Sequence, residues 1–428
     1  MPKIQDILTD ERVGEEVELK GWVYRERDSK NIAFIVLRDS TGTVQSVFKK
    51  DENPEAFQNA LDATLESAVK VRGILKEDER SPVGYEIQGK DLEIVHKAER
   101  FPITEDQSTE FLNDVRHLWI RSRDITNMMK VRHTILEAAR QYFDITGAYE
   151  VHPPIFTPNA CEGGTELFEV EYFGEEAYLS QSVQLYLEAL IFSLESVYSL
   201  TPSFRAEKSR TRRHLTEYWH LEWEGAWQSH EDNMELQEEL VEFIVKKVVE
   251  KNSEELEALG RDPKTLKEVE APFPRMTYTE VIEKLQDEGF DIEWGEDLGT
   301  KEERHLTKDM NVPLFVTEYP AEVKTFYMKP KPDNPEVVLN NDMIAPEGFG
   351  EVIGGSERET SAEALEERIK KEGIPLEDYQ WYIDLRRYGS IPHSGFGLGL
   401  ERLVRWICNQ DHIRDTIPFP RTLNRYSP

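Results

Sequence analysis

The segment TPSFRAEKSRTRRHLTEYWHLEWEGAW (201–227) gathers side chains able to do chemistry. Its basic island, FRAEKSRTRRH (204–214), holds five Lys and Arg against one Glu. Two strand-like arms flank the island. Alternation along the second arm puts Tyr218, His220, Glu222 and Glu224 on one face, and Arg205 and Glu207 share a face of the first. Cations, a phenol and carboxylates converging on a sheet make a polar site rather than a core. A basic loop between the arms can reach over phosphates or a nucleic-acid end.

Two further stretches carry chemistry. In LNNDMIAPEGFGEVIGGSERE (339–359), Asp342 and Glu351 are carboxylates in a Gly-rich, Pro-broken setting, and Arg358 follows. Hard oxygen ligands of this kind suit Mg2+ shared with substrate phosphates. In GSIPHSGFGLGLERLVR (389–405), Gly395, Gly397 and Gly399 are spaced two apart, unlike the G-x-G-x-x-G fingerprint of dinucleotide loops. Alternating glycines strip one face of a strand, and are expected to clear a surface on which a flat ligand can lie. Arg402 then falls in the first turn of a helix, where the helix dipole disfavours a cation. A partner must hold it there.

The elements that position these residues fall into two textures. Residues 16–24, 32–38, 43–49, 68–75 and 84–96 read as strands rich in Val, Ile and aromatics, with a helical stretch at 53–67 after the third. Five strands with one helix in that place fit the OB-fold barrel. A polar, Pro-containing segment follows. Beyond it, NMMKVRHTILEAARQYF (127–143) has a helical apolar face at Met128, Val131, Ile135, Ala138 and Tyr142. AYEVHPPIFTP (148–158) reads as a strand, about 233–251 as a second long helix, and LFVTEY and QWYIDLRR as short strands. This mixture, without βαβ alternation, predicts an α+β domain around a largely antiparallel sheet. The expected organisation is 1–103 barrel, 104–127 hinge and 128–428 catalytic domain.

The bulk numbers agree with a folded protein. Of 428 residues, 38% are apolar and 10% aromatic, and no run is apolar enough for a membrane span. Two cysteines far apart, Cys161 and Cys408, argue against a disulfide scaffold and favour a reducing, cytoplasmic home. The net charge of -32 argues against nucleic-acid binding only if it is evenly spread, and it is not. Residues 1–100 hold 16 Lys and Arg against 21 Asp and Glu, a net of -5, which leaves -27 for the rest.

In order, AYEVHPPI, FRAE…RHLTEY and GFGLGLER resemble the three signature motifs of the class II aminoacyl-tRNA synthetases. The barrel, hinge and core together are similar to subclass IIb, which holds the aspartyl, asparaginyl and lysyl enzymes. The resemblance covers essentially the whole chain. DLRRYGSIPHSGFGLGLERLV and IRDTIPFPR are closest to its asparagine-charging branch in compact archaeal-type form. The resemblance implies a class II synthetase fold with an N-terminal OB-fold. It also implies an ATP-dependent ligase that activates L-asparagine with ATP and transfers it to tRNA(Asn), as a cytoplasmic homodimer with Mg2+.

Site roles follow from the resemblance alone. Arg205 would bind the α-phosphate, Glu207 the adenine edge, and Tyr218 and Arg402 the two faces of the adenine. Arg213 and His214 would meet the γ-phosphate, and Asp342 and Glu351 would hold Mg2+. Arg205, Arg402 and His214 form the expected catalytic set. Pro154 would sit at a two-fold dimer interface. Glu162 in CEGGTELF would meet the substrate's α-amino group, with Gln184 helping, and Cys161 stands where several relatives carry Ser.

Side-chain choice turns on SQSVQLYLEAL (180–190). Aspartyl relatives carry a Lys where this chain has Leu187. A pocket with Arg358 and Glu222 and no such Lys offers one donor group and one acceptor group, which suits a carboxamide. A carboxylate would face Glu222, and like charges about 4 Å apart cost on the order of 4 kcal/mol at an effective dielectric near 20. An aspartyl enzyme, or one charging both tRNAs, is the alternative. In the barrel, Phe34 could stack on an anticodon base with Arg27 and Gln45 beside it, Arg25 being an alternative to Arg27.

Overall fold

The computed structural model describes residues 2–158, 160, 161, 166–208 and 211–428. The chain divides into two compact units, Met1–Leu112 and Asn113–Pro428.

The first unit is a closed five-stranded barrel. Its strands are β1 (Glu16–Ser29), β2 (Ile32–Arg38), β3 (Thr43–Lys49), β4 (Ala68–Glu77) and β5 (Tyr85–His96), in the order β1-β2-β3-β5-β4. All neighbours are antiparallel except β3 and β5. Period-2 alternation sends Val17, Leu19, Val23, Ala33, Ile35 and Leu37 into the core. Helix α1 (Pro54–Asp62) starts at Asn53, whose side chain accepts from the amides of Glu55 and Ala56, with Pro54 at the first helical position.

The second unit is built on an eight-stranded sheet. Its strands are β6 (Tyr149–Glu150), β7 (Ser196–Phe204), β8 (Glu217–Ala226), β9 (Arg275–Thr277), β10 (Leu314–Thr317), β11 (Asn340–Ala345), β12 (Gly350–Glu357) and β13 (His393–Gly399). They run β9-β10-β11-β12-β13-β8-β7-β6 across the sheet. The six central strands are antiparallel, and each edge strand pairs parallel to its neighbour. Two long helices, α2 (Arg123–Thr146) and α4 (His230–Ala258), supply Met128, Val131, Ile135, Leu240, Val241 and Ile244 to the core formed with Leu221, Trp223, Phe396 and Leu398 of the sheet. Ser122 caps α2, and Gly147 ends it in the left-handed region at φ 79°. The residues alternating with that core, Tyr218, His220, Glu222 and Glu224 on β8, lie on the opposite face of the sheet.

Several elements differ from the sequence expectation. The stretch QWYIDLRR does not form a strand: Gln380–Arg387 is a helix, α6. Its Tyr382, Ile383 and Arg386 are buried, while Gln380 bonds Asp384 four residues on, so the helical period outweighs the β-propensity of Trp, Tyr and Ile. Of the stretch 104–127, Thr109–Asp114 and Arg116–Trp119 are helical, and α2 begins at Arg123. The stretch 148–158 holds only β6 and the two-residue strand Phe156–Thr157, as its prolines dictate. Strand β7 ends at Phe204, so Arg205 and Glu207 stand beyond it.

Candidate active site

A cavity of about 560 Å³ opens on the face of the sheet away from α2 and α4. Arg205, Arg213, His214, Tyr218, Glu351 and Arg402 line it, together with Gly397 and Gly399. Glu207 lies at an adjoining cavity of about 250 Å³, shared with Arg205 and His214. The Arg205 guanidinium sits 5.6 Å from the centre of the Tyr218 ring, within cation–π range. Helix α7 (Leu400–Ile407) delivers two opposite side chains from adjacent positions. Glu401 turns inward, where Oε2 accepts from the Trp219 amide (2.9 Å) and Oε1 pairs with Arg132 (2.7 Å). Arg402 turns into the cavity and donates from Nη1 to Glu351 Oε2 (2.8 Å) and to the Glu351 carbonyl (3.2 Å). That pairing is the partner its unfavourable place on the helix dipole requires.

Three guanidiniums line the cavity, and two of them are paired with carboxylates, Arg213 with Glu303 and Arg402 with Glu351. Burial, followed by the charges of Arg402, Arg213 and Arg205, pushes the His214 imidazole down to about 4, so it is neutral at pH 7. A neutral ring among three guanidiniums marks a place built for an anion.

Asp342 and Glu351 lie on paired strands at one end of this cavity. A Cβ built on Gly354 would lie 3.5 Å from Glu351 Oε1 and 3.7 Å from Asp342 Oδ1, so the glycine leaves a cradle between two carboxylates. Burial and the charge of Glu351 raise Asp342. Glu351 is held down at about 2 despite its burial, because Arg402 and Lys324 face it. Two oxygen donors around a gap fit Mg2+. Lys324 bonds Asp342 Oδ2 at 3.0 Å and lies 3.9 Å from the centre of the Tyr319 ring.

A second polar region continues along β8. Glu222 accepts from the Ser182 hydroxyl and from the Val183 amide (3.1 Å), and burial raises its carboxyl to about 7. Arg358 donates from Nε and Nη2 to Glu224 (3.0 and 2.9 Å) and from Nη1 to Ser356 Oγ (2.6 Å). Behind that pair, the buried Glu188 accepts from Tyr382, Arg386 and Gln184 Nε2 (2.8, 2.5 and 3.0 Å) and meets His393 at 3.0 Å. Glu188, Glu224 and His393 match the donor types of a metal site, but Arg358 and Arg386 already balance the carboxylates. Leu187, on helix α3 (Gln184–Leu194), is fully buried in an apolar cluster with Val183, Ile191, Val197 and Ala226. Cys161 is buried among Leu185, Phe326 and Tyr382. Glu162 lies outside the described residues.

The alternating glycines also serve a purpose that their spacing did not show. A Cβ on Gly395 would lie 2.0 Å from Glu224 Oε2, and one on Gly397 would lie 2.4 Å from His220 Nε2. These two positions are bare so that the β8 side chains can cross the neighbouring strand. Only Gly397 and Gly399 reach the cavity lining.

In the barrel, Arg27 is paired across strands with Phe34, and its guanidinium lies 4.3 Å from the ring centre. Its Nη2 also donates to Gln45 Oε1 at 3.2 Å. A ring, a cation and an amide thus share one outer patch of β1, β2 and β3.

Three residues of the site escaped the sequence reading. Glu188 sits next to Leu187 in a segment that was scanned for a lysine. Lys324 and Glu303 come from the region between β9 and β11, where no motif marks them. A Lys–Asp or Arg–Glu pair joining distant segments leaves no spacing signal.

Among known families, tRNA synthetases class II (D, K and N) matches residues 108–423, and the OB-fold nucleic acid binding domain matches residues 17–95. The asparagine--tRNA ligase of Thermococcus kodakarensis is 54% identical over 98% of both chains. That of Thermoplasma acidophilum is 48% identical over the full length of both. The crystal structure of asparaginyl-tRNA synthetase from Pyrococcus horikoshii complexed with asparaginyl-adenylate has a TM-score of 0.96 at 50% identity, covering 99% of each chain. With the barrel, the sheet and the cavity in place, the full-length likeness is decisive: the chain belongs to the asparagine--tRNA ligases, within the class II tRNA synthetases of the D, K and N group.

Proposed function

We propose that the sheet cavity binds ATP and L-asparagine, forms asparaginyl-adenylate and passes the asparaginyl group to the 3′ end of tRNA(Asn). The asparagine carboxylate attacks the α-phosphorus and pyrophosphate leaves. The terminal ribose hydroxyl of the tRNA then attacks the acyl carbon and AMP leaves. No covalent enzyme intermediate is needed. Arg205 spreads the charge that develops on the α-phosphate, Arg213 and His214 receive the γ-phosphate, and Tyr218 and Arg402 take the adenine faces. Glu207 reads the adenine edge. Asp342 and Glu351 would hold Mg2+, which supplies neutralisation of the phosphate charge.

Glu222 and Arg358 carry the choice of amino acid. Glu222 stands on β8 and Arg358 directly follows β12. The position where aspartyl relatives carry Lys is Leu187, fully buried in an apolar cluster, so it supplies no cation. Arg358 would donate to the amide oxygen and Glu222 would accept from the amide nitrogen. Glu162 and Gln184 would receive the α-amino group. Arg27, Phe34 and Gln45 would read the anticodon. The protein works as a cytoplasmic homodimer with Pro154 at its two-fold interface. Among the described residues, no helix is long and apolar enough to cross a membrane.

Aminoacylation of tRNA with asparagine and with aspartate in parallel tests the assignment. Asparagine-dependent charging should dominate. Equal rates would replace it with a non-discriminating aspartyl enzyme.

A further inference from the structure

We infer that Glu303 is a positioning residue for the phosphate tail of ATP, although it lies outside every signature motif. It sits on helix α5 (Thr300–Thr307), with its side chain 6% exposed. Leu306 of the same helix is anchored in an apolar cluster of its own with Tyr278, Val281 and Leu285. From this support the Glu303 carboxylate makes three contacts. Oε2 accepts from Arg213 Nη1 and from the Glu351 amide (3.0 Å), and Oε1 accepts from Arg213 Nη2 (3.2 Å).

The geometry is a fork that grips the end of the guanidinium. It leaves the side edge of Arg213 outside the grip, and the buried Nε has no hydrogen-bond partner among the described residues. One guanidinium can hold a carboxylate by its end and an anionic oxygen by its side. The same carboxylate pins the backbone of Glu351, whose side chain faces Asp342 across the Gly354 cradle. The close approach is built in. Gly350 has φ +87°, and a Cβ there would lie 2.7 Å from Glu303 Oε2 and 2.8 Å from Arg213 Nη1. Glu303 therefore sets the plane of one cation and the position of one carboxylate at the same end of the cavity.

This inference rests on Arg213 meeting ATP, so the test separates the two. Pyrophosphate exchange is measured for Glu303→Gln, Arg213→Gln and the double variant, with KM for ATP and for asparagine taken separately. Losing a charge-assisted fork predicts an ATP KM raised about tenfold in Glu303→Gln. The asparagine KM should stay within about twofold, and the rise in the double variant should be smaller than the product of the two single rises, since both substitutions act partly through Arg213. If Arg213→Gln raises the ATP KM and Glu303→Gln does not, Glu303 is structural only and the inference fails. If Arg213→Gln itself leaves the ATP KM unchanged, the reading of Arg213 fails and takes the inference with it. Should Glu303→Gln fold poorly, Glu303→Asp keeps the charge but shortens the reach. It should show the same selective rise in ATP KM, and an equal rise for both substrates would overturn the role.

Discussion

Glu224 holds Arg358 by two parallel hydrogen bonds, of 3.0 and 2.9 Å, in a place where both side chains are almost fully buried. The fork fixes the guanidinium plane, and Ser356 takes a third donor. Lysine keeps the charge at this position but cannot reproduce the planar grip. Arg358→Lys should lower kcat/KM for asparagine about ten- to hundredfold in pyrophosphate exchange, with the ATP KM nearly unchanged. An unaltered asparagine KM would remove Arg358 from the reading of the amide.

Discrimination against aspartate should depend on pH through Glu222. Burial raises its carboxyl to about 7, opposed by the Ser182 and Val183 hydrogen bonds and by Arg358. Above that pH the group is an anion that repels the aspartate side chain and accepts from the asparagine amide. Below it the group is neutral, the repulsion is gone, and its own proton can be donated to a carboxylate. The ratio of asparagine to aspartate kcat/KM should therefore fall as pH is lowered from 8 to 6, the ionised fraction dropping to about one in ten at pH 6. A ratio that stays flat across this range in pyrophosphate exchange would mean that Glu222 does not face the substrate side chain.

The barrel was legible because one strand face is buried and the other is not, so period 2 is written directly into residues such as Val17, Leu19, Ala33 and Ile35. The long helix α2 was legible for the corresponding reason at period 3.6. Helix α6 was not, since its eight residues are too few for periodicity to outvote Trp, Tyr and Ile. Motif residues could be named one by one, but the contacts that orient them could not. Glu303 lies 90 positions from Arg213, and nothing in the local pattern announces the pair. The glycines of β13 were legible in part, because spacing shows that a face is bare, not everything that fills it: Gly397 and Gly399 do line the cavity. Glu224 and His220 also fill it.

His214 should take up a proton when ATP binds near pH 5.5. Without phosphates, burial and then the charges of Arg402, Arg213 and Arg205 hold His214 at about 4, below its ordinary 6.5. A triphosphate placed beside the ring offsets those guanidiniums and raises it again. Between about 4 and 6.5 the bound state then carries more protons than the unbound state. Titration calorimetry of ATP binding in buffers of different ionisation enthalpy should show more proton uptake for the unmodified protein than for His214→Asn, since the proton released by the γ-phosphate is common to both. Equal slopes for the two proteins would place His214 away from the phosphates.

Phe34 offers a prediction that the catalytic unit cannot influence. Its ring lies half-buried on the outer face of β2, with Arg27 4.3 Å from its centre and Gln45 held by the same guanidinium. The cation covers the aromatic surface and keeps the ring oriented, so an incoming base finds a stacking partner with positive charge beside it. Stacking of a base on an aromatic side chain is worth about 1–3 kcal/mol. Phe34→Ala should therefore lower kcat/KM for tRNA(Asn) in aminoacylation about ten- to hundredfold. Pyrophosphate exchange, which needs only ATP and asparagine, should keep its full rate. Equal losses in both assays would point to a damaged fold, and no loss in either would move the anticodon contact off this patch of the barrel.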